Sequence, residues 1–321
     1  MPNANWGTTG LLSTTLEKLM PSFQQQIFTS KVLLWILSNA NQVKNAPGGI
    51  SIVEPILYDP APNVGSYADY DVFTTDPNTG LSAAEFPWRQ FYGLFHISGI
   101  ELAMNSGEQA IINLAQARLD QLKLSMSEAI NLMLYLDGTG NGGKDFLGLD
   151  VIVEENRVLG GIDSNAAGSE YWDATVFAGS GTDATLVADM RTAYNTASEG
   201  NDHPTNGLTT QKVFEVYEEQ LVDQARYTDM AMADGGFQNL LFKGIPIAFD
   251  RAAEQSPHAD PLWFLNTKYL TLRKLAETWF KPSDMLQPTN QDAFYKNILC
   301  YGNLTTNFPA RQAVVKAAVT A

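Results

Sequence analysis

The segment Gly138-Thr139-Gly140-Asn141-Gly142-Gly143-Lys144-Asp145 comes nearest to a known chemistry. It satisfies G-x-x-x-x-G-K, the loop whose backbone N–H groups cradle nucleotide phosphates, and departs from it only at the last position. Asp145 stands where a Ser or Thr hydroxyl would ligate magnesium, and its charge would repel the phosphate. The setting is also wrong. A phosphate loop follows a strand and opens a helix, so that the positive helix end meets the anion. Here the preceding residues are helical in pattern, and a helix C-terminus carries partial negative charge. The segment therefore reads as a glycine-rich cap and turn, with Gly138 in the left-handed position.

Other groups able to do chemistry lack the spacing for it. His96, His203 and His258 form no H-E-x-x-H or similar ligand pattern, and His96 alternates with apolar neighbours as a packing residue of a strand would. Ser180, in Ala178-Gly179-Ser180-Gly181, lacks the first glycine of a nucleophile elbow. Cys300 sits in an apolar strand-like run and is expected to be buried rather than nucleophilic. Glu154-Glu155 and Glu218-Glu219 are sequence neighbours whose side chains diverge, which suits a solvated edge better than an acid/base couple. No catalytic, cofactor-binding or metal-ligating set is expected, and no cofactor.

The 321 residues are 45% hydrophobic and 17% charged, a globular composition with material for a large core. The net charge of −15 argues against a dedicated nucleic-acid-binding domain. Charge is unevenly spread. Residues 1–50 hold three basic and one acidic side chain, 261–321 hold seven basic and three acidic, and 51–260 hold 31 acidic against 10 basic. Two readings follow: a plain acidic surface, or terminal segments that rest on acidic surfaces of neighbouring copies. A single cysteine excludes an intrachain disulfide and fits a reducing compartment. No signal peptide is visible, Val32–Leu37 is too short to span a bilayer, and the sequon at Asn303 is read as accidental.

The elements that would position these residues follow from periodicity. Residues 1–50 look like an arm, with a helical stretch near Glu17–Ser38 cut off by Pro47-Gly48-Gly49. Ser51–Tyr58 reads as a strand with Ile52, Ile56 and Tyr58 on one face, and Phe86–Ile97 as a second strand. The 27 residues 59–85 between them contain Pro60, Pro62, Gly65, Pro77 and Gly80, and are longer than a compact connection tolerates. They also carry Tyr67, Tyr70 and Phe73, apolar surface that an isolated loop cannot bury. An extended hairpin packing on another subunit, with Tyr67, Tyr70, Asp71 and Phe73 at the contact, is the expectation.

The strongest period follows. After a potential cap at Ser106, Ile112, Ala115, Leu119, Leu122, Met126, Ala129, Met133 and Leu136 recur at spacings of three and four, with Arg118, Asp120, Lys123 and Glu128 off the stripe. This predicts one helix over 108–137, a rod of ~45 Å, with Leu119, Leu122, Met126 and Met133 in its core face. A coiled coil would want regular opposite charges beside the stripe, and they are missing. Beyond Gly143 the pattern is mixed. Leu147–Val153, Leu240–Phe249, Leu262–Arg273 and Ala293–Thr305 read as strands, and Ala184–Ser198 and Thr210–Gln224 as helices. Interleaving without a repeated βαβ unit predicts an α+β fold.

The order arm, hairpin, long helix, glycine turn and α+β body resembles the major capsid proteins of tailed bacteriophages, whose shell fold is shared with encapsulins. Ala84-Glu85-Phe86-Pro87-Trp88 through Ile97-Ser98-Gly99-Ile100-Glu101 and Asn105 is similar to that family's passage from hairpin (E-loop) to spine helix. Gly138-Thr139-Gly140 to Gly148-Leu149 resembles its turn into the axial (A) domain, and Trp263-Phe264-Leu265-Asn266 a late strand of that domain. Phe280-Lys281-Pro282 and Phe308-Pro309 resemble its closing peripheral (P) region. The resemblance implies an N-terminal arm at 1–50, the E-loop hairpin at 51–98, a P-domain with the spine helix at 99–145, the A-domain at 146–285, and a closing P-domain strand and tail at 286–321.

It further implies a non-enzymatic subunit that self-assembles as pentamers and hexamers into an icosahedral head shell. That shell would enclose double-stranded DNA without sequence-specific binding or a membrane, be built in the host cytoplasm and end in the virion. A separate scaffolding protein and a portal are the implied partners. Some relatives cross-link their shells through a hairpin lysine; residues 59–88 contain none, which excludes that chemistry there. An encapsulin-like compartment is the alternative within the fold, and a soluble α+β enzyme the alternative outside it.

Overall fold

Among the described residues, alternating and fully apolar runs settle into two large sheets and two two-stranded ones, with one long helix between the large sheets. The computed structural model describes residues 31–61, 63–73, 77, 80–104, 108–221, 232–233, 237–283 and 286–319, with 102–104, 108–117 and 282 described by backbone alone. In chain order come helix α1 (Val32–Asn39), strands β1 (Val43–Asn45), β2 (Ser51–Leu57), β3 (Leu81–Pro87) and β4 (Arg89–Ser98), and helices α2 (Gly99–Met104), α3 (Glu108–Met133) and α4 (Leu149–Ile152). Strands β5 (Val158–Leu159), β6 (Ile162–Asp163) and β7 (Thr175–Phe177) precede helix α5 (Leu186–Ala197), strand β8 (Asn206–Thr209) and helix α6 (Gln211–Gln220). The remainder is β9 (Asn239–Phe242), β10 (Ile245–Phe249), β11 (Leu262–Leu265), β12 (Leu270–Lys274), β13 (Lys281–Pro282), β14 (Ala293–Thr306) and β15 (Ala313–Val315).

The 14-residue β14 organises the first sheet. It pairs antiparallel with β4 from Ala293↔Ser98 to Gly302↔Arg89, and with β12 from Gly302↔Lys274 to Thr306↔Leu270; β13 adds beside it and β1 runs parallel to β12. The spine helix α3, about 39 Å long for its 26 residues, lies against β4. It comes closest at Gly93, where an added Cβ would collide with Met126 Sδ and stand 2.8 Å from Leu122 Cδ1. The second sheet has the order β7-β15-β11-β8-β10-β9. Its own apolar cluster joins Met190 and Tyr194 of α5 and Phe214 and Tyr217 of α6 to Phe242, Ile247, Phe264 and Val315.

Several expectations are corrected. Leu147–Val153 is a single helical turn, not a strand, because Gly148 leaves no room for a Cβ beside the Met133 and Leu136 carbonyls, and the chain turns tightly there. Phe86–Ile97 is two strands broken at Trp88. Leu240–Phe249 is a hairpin, with Lys243 (φ 49°) and Gly244 (φ 87°) forming a two-residue turn. Leu262–Arg273 divides between the two sheets. The long helix ends at Met133, although Gly138 does adopt the left-handed conformation (φ 74°). His96 is exposed; the inward positions of β4 are Gly93, Phe95 and Ile97.

Sheet membership also cuts across the expected boundaries. β12 and β13 belong with β4 and β14 although they precede residue 285, while β15 joins the second sheet. Residues 32–46 are no arm: Leu33, Leu34 and Leu37 are fully buried, and β1 is hydrogen-bonded into the sheet. The rest of the expected N-terminal arm and helix, residues 1–30, lies outside the described residues, as do Asn105 and the end of the helix expected to reach Gln224.

Candidate assembly site

β2 and β3 form an antiparallel hairpin from Ser51↔Pro87 to Leu57↔Leu81, extended by the bond from Tyr58 N to Gly80 O at 3.0 Å. Strict alternation gives the hairpin two faces. Ile52, Glu54, Ile56, Ala84 and Phe86 are buried against the body, while Val53, Leu57 and Leu81 face outward. Tyr58 does not continue the buried face. It is partly exposed and stacks on Tyr171 with ring centroids 5.0 Å apart. Pro55, which has no N–H to donate, fits because its register places its nitrogen away from β3, on the open edge of a two-stranded sheet.

Beyond Tyr58 the described part of the loop is apolar and open. Tyr70 is 98% exposed and Val72 95%; Val64, Tyr67 and Phe73 are also largely exposed. Two contacts shape this tip. The Tyr67 and Phe73 rings meet edge to face with centroids 5.1 Å apart, and Asp71 Oδ2 accepts from Ala68 N at 2.7 Å, while Asp71 N donates back to Ala68 O. The four residues expected at the contact, Tyr67, Tyr70, Asp71 and Phe73, therefore sit together on one projecting turn. Fully burying one such side chain against a partner would contribute roughly 1.5–3 kcal/mol.

The hairpin root is held by polar groups. Arg273 on β12 grips the 4%-exposed Glu54 carboxylate with Nε 2.6 Å from Oε1 and Nη2 2.8 Å from Oε2. Thr305 Oγ1 on β14 lies 2.8 Å from the same Oε1. The hydrogen bond to Glu54 holds the guanidinium of Arg273 above its ordinary pKa, against the opposing effect of burial. Two further ties follow: Glu85 N donates to Gly160 O at 2.8 Å, and the buried Asn303 donates from Nδ2 to Pro87 O while its Oδ1 accepts from Leu147 N, both at 2.9 Å.

Along the spine helix, Leu119 and Met126 are buried and Leu122 and Met133 half-buried. Ile112 and Ala115 lie where side chains are not described. Ile130, Leu134, Asn131 and Tyr135 are also buried, so the C-terminal turns are covered on more than the expected stripe. Ile130 and Leu134 join the main apolar core, and Asn131 and Tyr135 meet Asp250, just after β10. Its carboxylate accepts from Asn131 Nδ2 at 2.9 and 3.1 Å, from Tyr135 Oη at 3.2 Å and from Ala252 N at 3.0 Å. Burial first, and the charge of Asp250 second, push the Tyr135 phenol well above its ordinary pKa. His258 Nε2 also lies 2.7 Å from Asp150 Oδ1, which places the same β10–β11 connection beside α4. These contacts join the second sheet to the spine.

The near-match to a phosphate loop is the turn after this helix. Asp137 accepts from Thr139 N and Oγ1, Asp145 packs on Gly140, and Arg89 donates to Gly143 O. Two carboxylates face the place an anion would need. Among the described residues no group of three His, Cys, Asp or Glu side chains could hold a metal ion, and no helix is long and apolar enough to cross a membrane. Basic residues of 261–321 are partly paired within the subunit: Arg273 with Glu54, Lys316 with Glu154 at 2.6 Å, and Arg311 with Glu199 and Asp202.

The sequence pattern does not single out Glu54, Arg273, Asn131 or Asp250, and it marks Asn303 only as an accidental sequon. The alternation Ile52-Glu54-Ile56 did contain a signal, because it puts a carboxylate on the buried face.

No family model matches the sequence, and no curated relative is detected by it. Solved structures do match over most of the chain. The capsid of cyanophage A-1(L) superposes with a TM-score of 0.64 at 15% identity, covering 88% of this chain and 91% of that one. The capsid of the myovirid phage XM1 gives 0.55 at 13% identity, covering 87% and 91%. The holo-SrpI encapsulin complex of Synechococcus elongatus PCC 7942 gives 0.54 at 10% identity, covering 88% of each chain. The chain has the α+β shell fold of phage capsids, a fold that encapsulins share.

Proposed function

We propose that this chain is the major capsid protein of a tailed phage, a non-enzymatic subunit that assembles as pentamers and hexamers into an icosahedral shell enclosing double-stranded DNA. The carrying observation is the projecting hairpin, whose tip exposes Val64, Tyr67, Tyr70, Val72 and Phe73 together. Exposed apolar surface concentrated on an extended element belongs to an interface, and a second copy of the chain is the partner available at every position of a shell. Likeness to capsid structures over about nine-tenths of their length supports the reading. The excess of acidic side chains suits a wall along which packaged DNA slides without sticking. Assembly in the host cytoplasm with a separate scaffolding protein and a portal completes the proposal.

Electron microscopy of the purified protein tests it. Uniform hollow shells or capsomers are expected, and a small discrete oligomer at all concentrations would overturn it. Likeness to an encapsulin at a TM-score of 0.54, beside 0.55 for the XM1 capsid, favours a second reading, a compartment around a protein cargo. Native particles containing double-stranded DNA decide for the capsid, and particles containing an enzyme decide for the compartment.

A further inference from the structure

The geometry points to Glu54 and Arg273 as the positioning residues of the arm: their ion pair fixes the direction in which β2 and β3 carry the arm away from the subunit, and shell closure depends on that direction. This inference rests on the assembly reading but concerns the part of the arm that stays within its own subunit.

Glu54 sits between Ile52 and Ile56 on the buried face of β2, a position an apolar side chain would fill without desolvating a charge. What an apolar side chain would not supply is direction. Hydrophobic contact is indifferent to small rotations, whereas a guanidinium fork on a carboxylate makes two parallel bonds and fixes orientation as well as distance. Here both bonds are short, 2.6 and 2.8 Å, and Thr305 Oγ1 adds a contact from a third strand at 2.8 Å. One carboxylate thereby joins the hairpin to β12 and β14 of the main sheet, across 219 and 251 residues of sequence.

Two further bonds from hairpin to body, at Glu85 and Pro87, also lie at the root. Gly160, which receives the Glu85 bond, has φ +60°, and an added Cβ there would stand 2.8 Å from Ala84 Cβ, so this seat is close-packed too. Small errors at the root grow toward the tip. A tilt of about 10° displaces a point ~25 Å along a strand by ~4 Å, a full contact distance between side chains.

The test replaces both partners of the pair in the full-length chain, Glu54→Leu with Arg273→Met. Removing a buried pair together is typically neutral or stabilising for folding. The double variant is expected to melt within a few degrees of the parent, to exchange amide hydrogens of 51–58 and 81–87 at least tenfold faster, and to yield at least tenfold fewer closed shells by electron microscopy. Arg273→Lys keeps the charge and loses the fork; it is expected to fold and to give an intermediate shell yield.

A folded double variant with parental exchange rates and normal shells overturns the proposal. Should the double variant not fold, normal shell yield from Arg273→Lys overturns it instead. A parent protein that forms neither shells nor capsomers overturns the assembly reading, while the exchange rates at 51–58 and 81–87 still report whether the pair orients the arm.

Discussion

The root and the tip of the hairpin are built from similar residue types and used in opposite ways. At the root, Ile52, Ile56, Ala84 and Phe86 are buried in the subunit's own core, and a charged pair locks them in place. At the tip, Val64, Tyr67, Tyr70, Val72 and Phe73 stand in solvent, shaped by one ring contact and one Asp71 turn. A root that bonds to its own body and a tip whose large apolar side chains stand in solvent form a lever with a fixed end. Apolar content alone therefore separates neither the stabilising half from the assembling half; strand alternation and polar ties do.

The comparison can be broken most forcefully by placing a charge at each end. Phe86→Asp is expected to leave no folded protein by circular dichroism, because an unpaired carboxylate would replace a fully buried ring. Met126→Asp, under β4, should do the same. Tyr70→Asp should fold with a melting temperature within about 2 °C of the parent and fail to form shells. A folded Phe86→Asp variant would mean that the root is not core.

Next in size, residues 60–79 can be replaced by an Asn-Gly turn that keeps Tyr58, Gly80 and both paired strands. The expected product is a stable subunit seen as monomers or loose capsomers, never closed shells. Truncation to alanine gives a graded version. Phe86→Ala should cost about 3–5 kcal/mol in denaturant unfolding, and Phe73→Ala less than about 0.5 kcal/mol.

The smallest effect concerns Cys300, in the core that the root shares. Burial pushes its thiol up to about 12 from an ordinary 9. The native state thus holds the proton more tightly than the unfolded chain, and stability is unaffected below pH 9 and falls as pH rises toward 12. Cys300→Ala should remove that part of the alkaline loss. In the parent, a disulfide reagent at pH 8 should react only after unfolding.

Legibility in the sequence followed the length of each pattern. The spine helix carries its period through many turns, so its existence and much of its buried stripe could be read. Its C-terminal cover could not, because Asn131 and Tyr135 are buried by Asp250, 119 and 115 residues away. Short apolar runs misled for a related reason. Leu262–Arg273 and Phe86–Ile97 look continuous, yet each spans a corner where the chain changes sheet or direction, and periodicity carries no information about that. The exposed aromatics of the tip could be placed in a projecting loop, since Pro and Gly mark its ends. Glu54 was overlooked because a carboxylate in a strand is ordinarily read as solvent-facing, and only its partner, far along the chain, makes the buried position tolerable.

The length of β14 has a consequence for synthesis. Its residues 293–306 supply the pairing partner of β4, the Asn303 that holds Pro87, and the Thr305 beside Glu54. During translation the hairpin is made more than 200 residues before these partners emerge, and such distant pairings form late. Until then its root has no sheet to lie on. In the assembly proposed above, a half-made chain could not present a correctly aimed arm, so immature subunits would be kept out of the growing lattice without any separate inspection step.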